Sequence, residues 1–474
     1  MRFRDIGDPS SDQTMTAPKI RIVDIQIDDQ PVSLRLPFRY GATTLYRARQ
    51  ALVSVRIQAD GVEATGQAAE LLAPKWFDKS PDLSNDENVA QLHQALAMVQ
   101  RRYLDTPEAH TAFELHALND AAHNDESARC GLNGLVAGFG MAVIDKAVVA
   151  ALCRLEGLSF FDLMRGNRVG LSAATAPDLE DTDLSRFLRD LAPAQTILAR
   201  HTIGAIDALS DAEIAPEARR NDGLPESLAA AIRFYGLRAF KIKLTGQASF
   251  DMDRLRAIAL VLGETAGTYM ATLDGNEQFT DAQGFAAFWA ELSADPALRG
   301  LHAAIRFVEQ PIARSVALER PLGDLGAQVP FEIDESDEDI SSFPRAVAMG
   351  YRGVSSKSCK GIYRSLLNRA RVAKLNSADR MGSGKFFMSA EDLSAQAGLA
   401  VQQDLALATL IGCQTTERNG HHFGEGRPFH SQQDYETCQA LFPSLYQPLP
   451  DRMCLQIENG AINIASLFRN GAYG

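Results

Sequence analysis

Two lysines one residue apart, Lys241 and Lys243 in the run LRAFKIKLTG, pose the first chemical question. The run reads as a short apolar strand, and strand residues two apart point to one face. A solvated lysine titrates at about 10.4, but a neighbouring ammonium disfavours its charge and can bring it to about 7–8, where it works as a base. Carboxylates close the apolar runs that follow: Asp274 ends YMATLD, Glu309 ends AIRFVE and Asp334 ends VPFEID. A further lysine, Lys357, follows RGVSS. Three carboxylates on adjacent strand ends make a hard-oxygen cage suited to Mg2+, which leaves positions open for water or a substrate carboxylate. An α-proton next to a carboxylate is very weakly acidic, so a lysine base needs such a Lewis acid to stabilise the enolate.

These residues need a scaffold that brings strand ends together. After about residue 169, short apolar runs alternate with amphipathic segments: TILARHTIG, AFKIKL, YMATLD, AIRFVEQP, VPFEIDES, RGVSSKS, KFFMSAE and GCQTTER. Eight strands separated by crossovers predict an α/β fold, a (β/α)8 TIM barrel whose C-terminal strand ends face one pocket. Thr280, with Gln283 three residues later, reads as a capping box opening one of its helices. Residues 20–70 alternate in strand fashion, and the segments SNDENVAQLHQALAMVQRRYL and LNGLVAGFGMAVIDKAVVAALCRLEG read as helices, the second buried and ending at Gly157. The expected organisation is a loose tail over 1–18, an α+β capping domain over 19–168 completed by 440–474, and the barrel over 169–439.

Composition narrows the partners. A formal charge of −13 with no basic run argues against nucleic acid and anionic membranes, leaving a small molecule. The six cysteines are scattered without a CxxC, which reads as reduced thiols in a cytoplasmic protein. The N-terminus has no apolar h-region, and no apolar run suggests a membrane span. GLVAGFGMAV lacks the GxGxxG pattern and GSGKFF the P-loop spacing, so neither marks a nucleotide site. A homo-oligomer is the expected assembly.

The ordered set KIKL, LDGNE, RFVEQP, IDES and SSKSCKG resembles the enolase superfamily, in particular its muconate cycloisomerase-like branch within the mandelate racemase/muconate lactonizing enzymes. The resemblance extends over most of the chain. It implies a modified (β/α)8 barrel with an N-terminal capping domain, Mg2+ held by Asp274, Glu309 and Asp334, and Lys243 and Lys357 as acid/base groups with Lys241 as modulator. Asn276 and Glu335 are candidates for orienting the ligands and lysines from behind. Tyr40, Trp76, His201 and His421 are candidates for substrate contact, the first two on capping loops that also carry Arg39, Lys75 and Phe77. The implied chemistry is α-proton abstraction from a carboxylate, by racemisation or epimerisation of an N-acyl amino acid or similar acid. Muconate-type cycloisomerisation and o-succinylbenzoate synthase-type syn-dehydration need the same groups, and a non-catalytic metal-binding barrel needs only the carboxylates.

Departures from the family pattern bear on the substrate. Only Gly361 stands where a glycine pair is usual. TTERNGHHFGEG lacks the Asp-x-Asp that holds a dipeptide's amino group, and FFMSAEDLS lacks the histidine of acid-sugar dehydratases. Alternation admits only one of Lys357 and Lys360 to the pocket, and Lys357 is preferred. The adjacent His421 and His422 should point apart.

Overall fold

The computed structural model describes residues 16–40, 43–379, 384–427, 432–449, 452–470 and 473, so most of the expected N-terminal tail lies outside the described residues. Three long strands, β1 (Arg21–Tyr40), β2 (Thr43–Ala59) and β3 (Val62–Leu72), pair antiparallel in chain order. Asp60 and Gly61, both at positive φ, turn the β2–β3 hairpin as an Asp-Gly pair does in a tight two-residue loop.

Helices α1 (Asn85–Leu104), α2 (Ala112–Arg129) and α3 (Gly134–Glu156) cover one face of that sheet. Ser84 and Glu87 close a reciprocal capping box on α1, and Gly157 ends α3 in the left-handed region. α2 had no counterpart in the sequence reading, because its apolar positions are sparse. α3 is long and apolar enough to cross a membrane, and it lies buried inside the protein. It runs so close to β3 that a Cβ on Gly66 would sit 2.0 Å from the Ala151 nitrogen, which is why glycine occupies that strand position.

The eight anticipated strands form the barrel: β4 (Thr196–Ile203), β5 (Ala239–Lys243), β6 (Met270–Asp274), β7 (Ile305–Glu309), β8 (Phe331–Ile333), β9 (Gly353–Ser356), β10 (Phe387–Ala390) and β11 (Thr415–Arg418). All pair parallel in sequence order, and β11 closes on β4. The helix expected to start from Thr280 is capped by Asp281 instead, whose carboxylate accepts from the Gly284 N–H. The C-terminal strand Ala461–Asn463 pairs with β4 of the barrel, not with the capping sheet. The terminal segment reaches the first domain through rings: Phe468 stacks on Phe161 and Tyr473 on Phe160.

The barrel interior is ionic where branched aliphatics would be usual. Arg200, Lys241, Glu309, Glu332, Glu391 and Glu417 are all buried there, and their mutual contacts organise the site above them.

Candidate active site

At the C-terminal ends of the strands, Lys243 Nζ lies 2.6 Å from Asp274 Oδ2. Lys241 Nζ approaches the same oxygen at 2.9 Å and also meets Glu309 (2.7 Å), Glu391 (2.7 Å) and Glu417 (3.0 Å). Burial opposes charge on Lys241, but these four carboxylates outweigh it and hold the ammonium well above the usual lysine range. Lys241 is therefore a fixed cation beneath the mouth, one carboxylate oxygen away from Lys243.

Across the ring, four strands from Lys243, Lys357 Nζ lies 2.5 Å from Asp334 Oδ2. Burial opposes its charge too, yet Asp334 outweighs it and raises Lys357 above the ordinary lysine range. Both lysines of the β9 turn reach Asp334, contrary to the alternation argument. Residues Ser358–Lys360 form a 3-10 turn, which breaks the two-residue period and swings Lys360 Nζ to 3.4 Å from Asp334 Oδ1 and 2.8 Å from Ser355 Oγ.

Asp334 is held in place by a side chain the sequence reading did not single out. Gln310 Oε1 accepts from the Asp334 and Ser336 N–H groups at 2.9 and 3.0 Å, while its Nε2 donates to Ile312 O and Ser336 Oγ. Gln310, Asn276 and Glu277 all sit at positive φ, conformations that persist when surrounding bonds over-determine them. The Asn276 N–H donates to Asp274 Oδ1 at 2.8 Å and its Nδ2 to Glu335 Oε1 at 3.2 Å, so Asn276 ties the third barrel strand to the fifth.

The capping domain seals this mouth. Trp76 is buried with its ring 4.2 Å from Lys357 Nζ, a cation–π contact. Lys79 reaches Glu277 (2.6 Å), Glu335 (2.9 Å) and Asn276 O (2.9 Å), and Arg314 binds Glu277 and the carbonyls of Trp76 and Phe77. Lys75 turns to Ser80 O and Leu83 O within its own loop, and Phe77 packs on Phe139. Tyr40 ends β1; its side chain and residues 41–42 lie outside the described residues.

No family model matches the sequence, and no curated protein matches it. Solved structures do match the fold over nearly the whole chain. A mandelate racemase/muconate lactonizing protein from Herpetosiphon aurantiacus superposes with a TM-score of 0.62 at 17% identity, covering 96% of this chain and 98% of that one. The chain has the capped-barrel fold of that protein. A dipeptide epimerase from Enterococcus faecalis, complexed with Mg and L-Leu-L-Tyr, gives 0.59 at 13% identity over 94% and 99%. An enolase from Bradyrhizobium, complexed with magnesium and mandelic acid, gives 0.58 at 16% over 94% and 93%.

Within this fold the inner carboxylates Glu332, Glu391 and Glu417 are the feature the sequence reading missed, and two of them join Glu309 of the expected set. Among the described residues, one group of three carboxylates falls within 4.8 Å of one another: Glu309, Glu332 and Glu391. Glu332 lies two residues before Asp334 on β8, so alternation alone puts both inside the barrel. Burial and the neighbouring acids push Glu309 and Glu332 above the carboxylate range, against the pull of Lys241 on Glu309 and of Arg200 on Glu332. Burial raises Glu417 as well, but Lys241, Lys243 and Lys357 overcome it and keep it ionised. Glu391 is bound by both Lys241 and Arg200.

Two histidines expected at the substrate lie elsewhere. Arg200 and Thr202 of β4 point inward, Arg200 donating to Thr272 and Thr202 to Glu417, so the intervening His201 points out of the barrel. There its ring meets those of His421 at 5.7 Å and His422 at 5.0 Å, and His421 meets Tyr235 at 5.1 Å. Both His421 and His422 thus turn toward His201, the short helix Gly420–Phe423 defeating simple alternation. His201 Nδ1, both ring nitrogens of His421 and His422 Nδ1 have no hydrogen-bond partner among the described residues.

Proposed function

We propose that this protein is an enolase-superfamily enzyme that abstracts the α-proton of a small carboxylate substrate through an enolate. The net reaction proposed is racemisation or epimerisation of an N-acyl amino acid or similar acid. The observation that carries it is that Lys243 and Lys357 stand at strand ends four strands apart in the barrel, each paired with a carboxylate, Asp274 and Asp334.

The donor set fits Mg2+. Asp274, Glu309 and Asp334 would offer hard oxygens from three consecutive strands, and Glu335 Oε2 next to Asp334 is buried without a hydrogen bond among the described residues; lysines pair with all three carboxylates here, and the three do not fall within 4.8 Å of one another. The deeper trio of Glu309, Glu332 and Glu391 is a second donor set sharing Glu309, in which Glu391 serves Arg200 and Lys241 just as Asp274 serves Lys241 and Lys243. Bound at the mouth, Mg2+ supplies the Lewis-acid field for an enolate dianion.

Lys243 would take the α-proton, the electron pair of the C–H bond moving into the carboxylate to give the enolate. Lys357, kept charged by Asp334, is in the form that returns a proton to the opposite face of that carbon. Trp76 and the Lys79 latch exclude water while the carbanion is exposed. Six free cysteines support the cytoplasmic reading, and a homo-oligomer belongs to the same proposal.

The test is turnover of single-enantiomer acids, N-acyl amino acids, dipeptides, muconates and sugar acids among them, with Mg2+ or with EDTA, followed by chiral chromatography. Mg2+-dependent appearance of the opposite enantiomer is expected for the N-acyl class. A lactone or a dehydrated product would replace epimerisation by cycloisomerisation or elimination, and metal binding without conversion of any class would leave a binding barrel.

A further inference from the structure

A cavity of about 180 Å3, lined by both polar and apolar side chains, lies at the seam between the capping helices α2 and α3 and the barrel helix Ile362–Ala378. Lys360 lines it and so separates it from the site above, since Lys360 Nζ also contacts Asp334 and Asp337. A void of about 150 Å3 holds a benzene-sized molecule, so this one has room for a solute of about six to eight heavy atoms.

Two of the three acids on its wall, Asp145 and Asp339, each accept at least two hydrogen bonds from side chains or backbone, and the third, Asp120, accepts one. Asp145 accepts from Tyr103 Oη at 2.6 Å and His116 Nδ1 at 2.7 Å. Asp339 accepts from Ser341 N–H at 2.7 Å and Ser341 Oγ at 2.6 Å, and Asp120 accepts from Asn124 Nδ2 at 3.2 Å. The groups left over are donors. The Tyr363 hydroxyl belongs to a residue 1% exposed and has no partner among the described residues, and Thr175 Oγ1 is buried and likewise unpaired. A buried hydroxyl without a partner costs about 1–3 kcal/mol, which a ligand atom can relieve.

Charge points the same way. Arg364 donates to the Asp337 carbonyl at 2.6 Å and forms no ion pair among the described residues. Gly138 gives it space, since a Cβ there would stand 3.1 Å from Arg364 Nη2. The helix Ile362–Ala378 starts at this cavity with Gly361 as N-cap and no side-chain cap, leaving its N-terminal end open to an acceptor. Burial opposes a proton on His116, but Asp145 outweighs it and raises the imidazole above its ordinary range.

We infer that this cavity is a second binding site, separate from the lysine–carboxylate centre, for a small oxyanion, carboxylate or phosphate. Its oxygens are received by Arg364, the Tyr363 hydroxyl and the N-terminus of the helix Ile362–Ala378. An occupant stands one side chain, Lys360, away from Asp334.

Calorimetric titration with inorganic phosphate and, separately, succinate tests this on the full chain. One saturable equivalent is expected for at least one probe, and which probe binds identifies the oxyanion. Arg364→Gln should weaken it about tenfold or more, and Tyr363→Phe about three- to tenfold. The second variant keeps the ring on Phe113 and His116 and so guards against misfolding. Lys243→Ala, at the other centre, should leave this binding unchanged. Absence of saturable binding by either probe, retention in both cavity variants, or loss in Lys243→Ala would overturn the assignment.

Discussion

Replacing Lys241 with methionine should lower the unfolding free energy by about 3–5 kcal/mol near neutral pH, the cost of leaving buried charges without their partner. Lys241 is the common counter-ion of Asp274, Glu309, Glu391 and Glu417, all buried with it. Methionine fills similar volume, so the loss measures electrostatics more than packing. The sign of its pH dependence follows. Without the ammonium, these carboxyls have folded-state pKa values raised above their unfolded ones, and such groups favour the folded state at low pH and lose that contribution as pH rises. The deficit should therefore shrink between pH 7.5 and pH 5.5 in urea titrations. A deficit under 1 kcal/mol, independent of pH, would contradict the ionic description of the barrel interior.

The histidine cluster should make the protein acid-sensitive above the range where most carboxylates titrate. Burial lowers His201 to about 4, and burial together with the neighbouring imidazole of His201 lowers His421 and His422 further. The unfolded chain takes up these protons near pH 6.5 while the folded chain does not, so stability is lost as pH falls from about 6.5 toward 4. For His201 alone the effect approaches about 3 kcal/mol. No acid stands ready to receive the charge: the facing cations are Arg35, already paired with Asp222, and Arg418, paired with Asp404. Asp207 and Asp392, raised by burial to about 6, act in the opposite sense, contributing stability at low pH that is lost as pH rises through 6. A comparison of variants isolates the histidine contribution. His201→Leu should flatten the decline between pH 7 and pH 5, and an unchanged slope would mean that His201 is not the responsible proton acceptor.

The periodicities legible in the sequence were those of regular elements. All eight barrel runs fold as strands, and Asp274, Glu309 and Asp334 close them because two-residue alternation holds within a strand. It fails where the chain leaves the strand. The 3-10 turn after Lys357 brings Lys360 onto Asp334, and the short helix after β11 turns both His421 and His422 toward His201. His201 was within reach of alternation: its neighbours Arg200 and Thr202 occupy the interior, which forces it outside. Glu332 was legible for the same reason, being two residues from Asp334, whereas Glu391 follows β10 and Glu417 is the penultimate residue of β11, in stretches that drew attention only for lacking a histidine or an Asp-x-Asp. Gln310 and Lys79 carried no signal, since their roles depend on contacts 24 and 256 residues away in the chain.

The most direct test of enolate chemistry is exchange of the substrate α-proton in D2O, followed by proton NMR for the acid that turns over. With Mg2+ the wild-type protein should wash out the α-proton signal, and EDTA should stop it. In a two-base site, Lys243→Ala should abolish exchange from one enantiomer and Lys357→Ala from the other, each by about a thousandfold or more. Exchange that persists in both variants, or that never occurs with a bound substrate and Mg2+, would contradict the assignment of these lysines to the two faces of the reacting carbon.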